Sequence, residues 1–318
     1  MAVTLYVYKY KHNMAEAFNR SNGGLANEVM TYYEKTFLKR AKASIVLSEG
    51  AQKSTHGKQS GKTIVFNRKT PMSLATTALS EGANPTVSLM TGATVSCTLA
   101  EYGKSMKVSK FLTLTGIDAN NDENISTLGQ NMGETIDRLT GNALSAGFTA
   151  SFANAKKAST IKTSDTLDVA DVRTTVQNLE TNKAMRYGDG YYVGKVQPVP
   201  KTGLMADTTW LDVRKYTDPK DLFNSEIGTI HGVRFLLSTN KMSSVGTGSS
   251  STVTTYYNFI HGMDSFGAYD LAGDQPKLYV VNGEDSNNPT GRYVTISWAG
   301  SYVAKVLNST WGYVLRSA

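Results

Sequence analysis

A single cysteine, Cys97, among 318 residues rules out an intramolecular disulfide and a multi-thiolate metal cage. Long apolar runs are missing as well. Nothing approaches the roughly 18 consecutive apolar residues of a membrane-spanning helix, and Met1 to Lys11 has too short an apolar stretch and the wrong charge order for a signal peptide. The expectation is a soluble chain made in a cytoplasm.

Catalytic signatures are equally scarce. The four histidines, His12, His56, His231 and His261, have no metal-ligand spacing. No nucleophile elbow, HExxH helix or dinucleotide fingerprint occurs. The stretch GKQSGKT, Gly57 to Thr63, comes nearest to a phosphate-binding loop, but it has three residues between its glycines instead of four. The β-branched run that follows it predicts a strand where such a loop needs a helix. Cys97 alternates with Val95 and Leu99 on one strand face, as a small buried hydrophobe would. The sequence therefore reads as a non-enzyme, without cofactor or metal; a nucleotide-binding hydrolase using Gly57 to Thr63 is the enzymatic alternative.

At about one domain per 150 residues, the length suggests two domains. The formal charge of +7 is unevenly placed. Residues 1–70 hold 12 Lys and Arg against 4 Asp and Glu; residues 71–318 hold 21 against 22. The basic excess thus belongs to an N-terminal arm, residues 1–61. Within it, Leu25 to Ala41 predicts one helix, with Val29, Met30, Tyr33 and Phe37 on one face and Lys35, Lys39 and Lys42 opposite. Such a helix needs something else to cover its apolar stripe. Ala51 to Gly61 reads as a polar linker. The arm's cations suit nucleic-acid phosphates, without base reading, or else simply a solvated surface.

Strand patterns at Lys62 to Lys69 and Thr94 to Tyr102 flank more than twenty residues with no sustained apolar pattern, Thr70 to Ala93. A structureless loop of that length is uncommon inside a compact domain. The spacing predicts a long hairpin leaving the body of the protein. Asn124 to Phe148 predicts a long helix: Ile125, Leu128, Met132, Ile136, Leu139 and Ala143 fall within an arc of about 80°, with Asn131, Glu134, Asp137 and Arg138 facing away. Asp168 to Glu180 predicts a second helix capped by Asp168, and Asp218-Pro219 opens a third. Short strands then dominate: Tyr191 to Val196, Ile227 to Ser238 with a turn at His231-Gly232, Thr254 to His261, Leu278 to Asn282, Tyr293 to Trp298, Tyr302 to Leu307 and Trp311 to Leu315. Gly246 to Thr252 reads as a loop. Without regular strand and helix alternation, the class is α+β.

The order of these parts resembles the Hong Kong 97 fold of tailed-bacteriophage major capsid proteins. Local stretches are more specifically similar to the capsid family of the coliphage N-four group: GKTIVFNRKTPMSLATTALSEGANPT (Gly61 to Thr86), LAEYGKSMKVSKFLTL (Leu99 to Leu114), ETIDRLTGNAL (Glu134 to Leu144), LFNSEIGTIHGVRFLLSTN (Leu222 to Asn240) and WAGSYVAKVLNSTW (Trp298 to Trp311). The resemblance implies an extended loop at 62–110, a peripheral domain at 111–190 with its spine helix at 124–148, an axial domain at 191–276, and closing strands at 277–318 shared by both. It implies self-assembly into hexamers and pentamers of an icosahedral head around double-stranded DNA, built in the host bacterial cytoplasm. A portal protein would occupy one vertex, with possible separate scaffolding and decoration proteins and no membrane. Lys35, Lys39, Arg40 and Lys42 would face the genome, and Arg68, Lys69, Pro71, Leu79, Glu81 and Pro85 would meet neighbouring subunits. An encapsulin-type compartment around enzyme cargo uses the same fold and is the alternative shell.

Some relatives cross-link a loop lysine to a neighbour's asparagine. No lysine, asparagine and carboxylate here match that arrangement residue by residue. Assembled particles boiled in denaturant are therefore expected to run as a single band near 34.4 kDa. A ladder of multimers on that gel would overturn the expectation.

Overall fold

The structure, a computed structural model, describes residues 23–69, 72–82, 84–85, 87–111, 121–210, 226–245, 253–272, 274–281 and 288–318, with side chains in the first helix from Tyr32 onward. The helix expected at Asp218, the loop at Gly246 to Thr252 and Pro71 lie outside these residues. In chain order the elements are α1 Gly23–Ser44, β1 Gln52–His56, β2 Thr63–Lys69, β3 Gly92–Thr98, β4 Ala100–Ser109, α2 Asn121–Gly147, β5 Thr149–Phe152, α3 Val169–Thr181, β6 Tyr192–Val196, α4 Pro198–Ala206, β7 Glu226–Ile230, β8 Val233–Leu237, β9 Ser243–Val245, β10 Thr254–His261, β11 Phe266–Leu271, β12 Lys277–Val281, β13 Tyr293–Val306 and β14 Gly312–Ser317. They divide between two units. One takes the chain through Lys42, Gly103–Met132 and Pro276–Ala299; the other takes Ala43–Tyr102, Gly133–Gln275 and Gly300–Ala318.

In the first unit, α1 lies against the N-terminal half of α2. Among the described side chains Phe37 and Ala41 are buried in α1, and Ile125, Leu128 and Met132 in the N-terminal half of α2. The two helices approach so closely at Gly129 that a Cβ there would sit 2.5 Å from the carbonyl oxygen of Phe37. Polar bonds flank this contact: Tyr32 Oη donates to Asp122 Oδ2 at 3.4 Å and Arg40 Nη2 to Gln130 Oε1 at 3.2 Å. β12 pairs antiparallel with the first part of β13, Leu278 opposite Trp298, and the Trp298 indole donates to Asn131 Oδ1 at 3.2 Å.

The second unit is built on a mixed sheet in the order β5-β14-β10-β6-β8-β7, with β9 also on β10. Period-2 alternation sends neighbouring residues to opposite faces. On one face Ile260 and Leu315 join Val169, Val172, Val176 and Leu179 of α3, with Phe235 and Trp210. On the other, Phe259 and Val314 meet Leu144 of α2, Phe148, Phe266, Met242 and Leu47. A sheet buried on both faces explains why all five residues of β6 are inaccessible. Asp168 caps α3 as expected, its carboxylate accepting from the Asp171 N–H at 2.9 Å. The His231-Gly232 turn joins β7 to β8 with positive φ at both residues, as a tight two-residue hairpin demands.

Three expectations need correction. Ala51 to Gly61 is not all linker: Gln52–His56 forms β1, parallel to β11, because β11 offers it a sheet edge that no local pattern reveals. The two strands expected at Tyr293 to Trp298 and Tyr302 to Leu307 are one, β13. Its partner changes from β12, ending at Ala299, to β11, starting at Val303, so Gly300-Ser301 marks a change of partner and not a turn.

The third concerns Asp137, which the helical wheel places outward. It is fully buried. Its Oδ1 accepts the N–H groups of Val46 at 2.9 Å and Leu47 at 2.5 Å, and Asn240 Nδ2 reaches Oδ2 at 3.4 Å. The buried face of α2 turns along the helix, from Ile125, Leu128 and Met132 to Asp137, Thr140 and Leu144, while Leu139 and Ala143 are only partly covered. Lys195, also fully buried, completes the cluster: its ammonium donates to the Leu47 carbonyl at 2.6 Å and lies 4.7 Å from the Phe266 ring centre. Burial raises the Asp137 carboxyl above its ordinary value and pulls the Lys195 amine down to about 7.

Removing one member of such a cluster leaves the others without partners. Asp137→Ala is expected to cost about 3–5 kcal/mol in urea unfolding, and Asp137→Asn, which keeps an acceptor, less. The unfolded chain holds the lysine proton to near 10.5 and the folded chain only to about 7. The amine's penalty is therefore full below pH 7 and fades as pH rises through that window, so stability should climb with pH there. Lys195→Met should flatten that part of the profile.

Candidate functional site

Two elements have more surface than their own chain covers. The first is the hairpin. β2 and β3 pair antiparallel from Thr63 opposite Thr98 to Lys69 opposite Gly92. Its root is anchored within the second unit: Ile64, Cys97 and Leu99 pack with Tyr269, and Phe66 stacks on the Tyr269 ring at 4.4 Å between centres. Leu99 N–H closes the root by donating to the Lys62 carbonyl at 2.9 Å. Burial raises the Cys97 thiol above its ordinary range, which keeps it protonated and unreactive.

Beyond the root the packing stops. Every described residue from Met72 to Gly92 is exposed, including Leu74 at 81%, Val87 at 91% and Leu89 at 89%. At roughly 25 cal/mol per Å2, apolar surface of this kind is costly to leave in water and favours a covering partner. No helix or strand forms among the described residues from Met72 to Thr91.

The second element is α1. Lys35, Lys39 and Lys42 are exposed, opposite the buried Phe37 and Ala41, as the wheel predicts. Arg40 is exposed too, but its guanidinium is engaged by Gln130. Among the expected hairpin residues, Arg68 is exposed with its guanidinium carbon 5.9 Å from the Trp311 ring centre; Lys69, Leu79, Glu81 and Pro85 are exposed. The arm lysines and the hairpin residues belong to different units. Sequence reasoning missed Leu74, Val87 and Leu89, although TVSLM, Thr86 to Met90, carries a short apolar alternation that could have flagged the last two.

The Gly57 to Thr63 stretch is a turn between two strands, β1 and β2, with Gln59 and Gly61 at positive φ. No helix N-terminus follows it to face a phosphate.

No family profile matches this sequence, and no curated protein sequence does either. Solved structures do match. The capsid of Ralstonia phage GP4 aligns at TM-score 0.65 and 13% identity, over 86% of this chain and 89% of that one. The capsid of cyanophage P-SCSP1u aligns at 0.64 and 11% identity, over 99% and 93%. A virus-like particle from Pyrococcus furiosus aligns at 0.54 and 10% identity, over 91% and 99%. These near-complete overlaps establish the fold: α+β, of the Hong Kong 97 type found in phage capsids.

Because α1 rests on α2 through Gly129, Gly129→Val should push the helix off. The expected result is faster amide exchange throughout Tyr32 to Ala41, with the sheet core of the second unit unchanged by the same measurement.

Proposed function

We propose that this protein is a shell-forming capsid protein, acting by self-assembly and not by catalysis. The observation that carries the reading is the hairpin, docked at its root and exposed at every described residue from Met72 to Gly92, on a fold shared with phage capsids. The exposed apolar residues beyond the root, Leu74, Val87 and Leu89, gain cover from neighbouring molecules, and many such weak contacts repeated around a closed lattice add up to a stable shell.

In this reading copies form the hexamers and pentamers of an icosahedral head enclosing double-stranded DNA. Residues 1–61 act as the arm, 62–110 as the extended loop, 111–190 as the peripheral domain, 191–276 as the axial domain, and 277–318 as strands shared by both. Arg68, Lys69, Pro71, Leu79, Glu81 and Pro85 meet a neighbouring subunit. Lys35, Lys39, Arg40 and Lys42 line the interior and offset the repulsion of packaged phosphates without reading bases. A portal at one vertex and separate scaffolding and decoration proteins complete the particle, which forms in the bacterial cytoplasm. A second reading is an encapsulin-type compartment around enzyme cargo, on a fold also seen in a virus-like particle from Pyrococcus furiosus; the basic arm favours nucleic acid.

Negative-stain microscopy and sedimentation of the expressed protein test this. Closed shells or capsid-like sheets are expected, and a stable 34.4 kDa monomer would exclude the reading. Replacing Met72 to Met90 by a short turn should leave a folded protomer that no longer assembles. Reversing the charge of Lys35, Lys39 and Lys42 should lower nucleic-acid content and salt resistance while shells still form. Unchanged content and salt resistance would remove the arm from the interior.

A further inference from the structure

Arg316 stands on β14 with two aromatic residues directly opposite it, Phe152 on β5 and Tyr257 on β10. Its guanidinium carbon is 5.5 Å from the Phe152 ring centre and 4.7 Å from that of Tyr257, so rings on both flanking strands hold the planar head. The side chain is partly buried, and its Nε is enclosed without a hydrogen-bond partner. Among the described residues no carboxylate or carbonyl meets it. Other arginines of the same unit differ: Arg234 has Glu49 and Asp189, and Arg186 has Glu180.

A guanidinium carries five N–H donors and a permanent charge, and buried polar groups are ordinarily satisfied. Its fixed fork matches a carboxylate or a phosphate. A nucleic-acid footprint needs several cations on one face. On β5, β10 and β14 Arg316 is the only lysine or arginine. One rigid arginine between aromatic rings is instead the composition of an anchor in a protein interface. Aromatic flanks also exclude water, which strengthens a single ion pair.

We propose that Arg316, held between Phe152 and Tyr257, receives an aspartate or glutamate carboxylate from a second copy of this chain. The site is complete only in the assembly, and the proposal rests on the shell-forming reading above.

The test uses the full chain as wild type, Arg316→Gln and Arg316→Lys. Protomer stability is followed by urea unfolding, the critical concentration for assembly by light scattering, and packaged nucleic acid by the 260 to 280 nm absorbance ratio of purified shells. Arg316→Gln is expected to raise the critical concentration by about tenfold or more. Arg316→Lys, which keeps the charge without the fork, should raise it less, with protomer unfolding unchanged. Should Arg316→Gln unfold the protomer, the lysine variant carries the comparison alone. Folded variants that assemble at the wild-type concentration overturn the proposal. So does an unchanged critical concentration with less packaged nucleic acid, which would put a phosphate at the site. A wild-type chain that never assembles removes the shell reading itself, and this proposal with it.

Discussion

The buried carboxylate of Asp137 settles how the chain enters the second unit. The N–H groups of Val46 and Leu47 are withdrawn from water there, and an unsatisfied buried donor costs about 1–3 kcal/mol. Asp137 accepts both, and Lys195 donates to the Leu47 carbonyl. With its backbone satisfied, Leu47 can fill the space among Leu144, Phe148, Phe259 and Phe266. Tyr187 continues the tether at Gly50, donating to its carbonyl at 2.8 Å. The path of the chain between α1 and β1 is thus fixed by side chains remote in sequence, and β1 can reach β11.

Periodicity made the long elements readable. The stripe through Ile125, Leu128 and Met132, the cap at Asp168, the His231-Gly232 turn and the strand of His261 all rest on local rules that tertiary packing reinforces. The errors occurred where packing overrode a local rule. Asp137 is polar and sits on the wheel's outward side, yet it is buried because it has donors to satisfy. Gln52 to His56 is polar on nearly every residue, yet it is a strand because β11 lies beside it. Gly300-Ser301 reads as a break because no local rule registers an exchange of partner strand.

The candidate surfaces were legible to different degrees. A long segment without periodicity marked the hairpin, and charge clustering marked the arm lysines, because both are properties of composition. Arg316 left no such trace. Its setting comes from strand register, which places Phe152 and Tyr257 beside it from positions 164 and 59 residues away along the chain. Residues whose meaning depends on non-local neighbours remain silent until the fold is known.

Cys97 has a consequence of another kind. The chain's only thiol is buried in the root of the hairpin, clustered with Tyr269 and Ile64. Lifting that root should speed its reaction with a thiol reagent, so the labelling rate becomes a clock for hairpin opening, read at one atom without any engineered probe. A shell whose neighbours hold the hairpin down would stop that clock, and its disassembly would start it again.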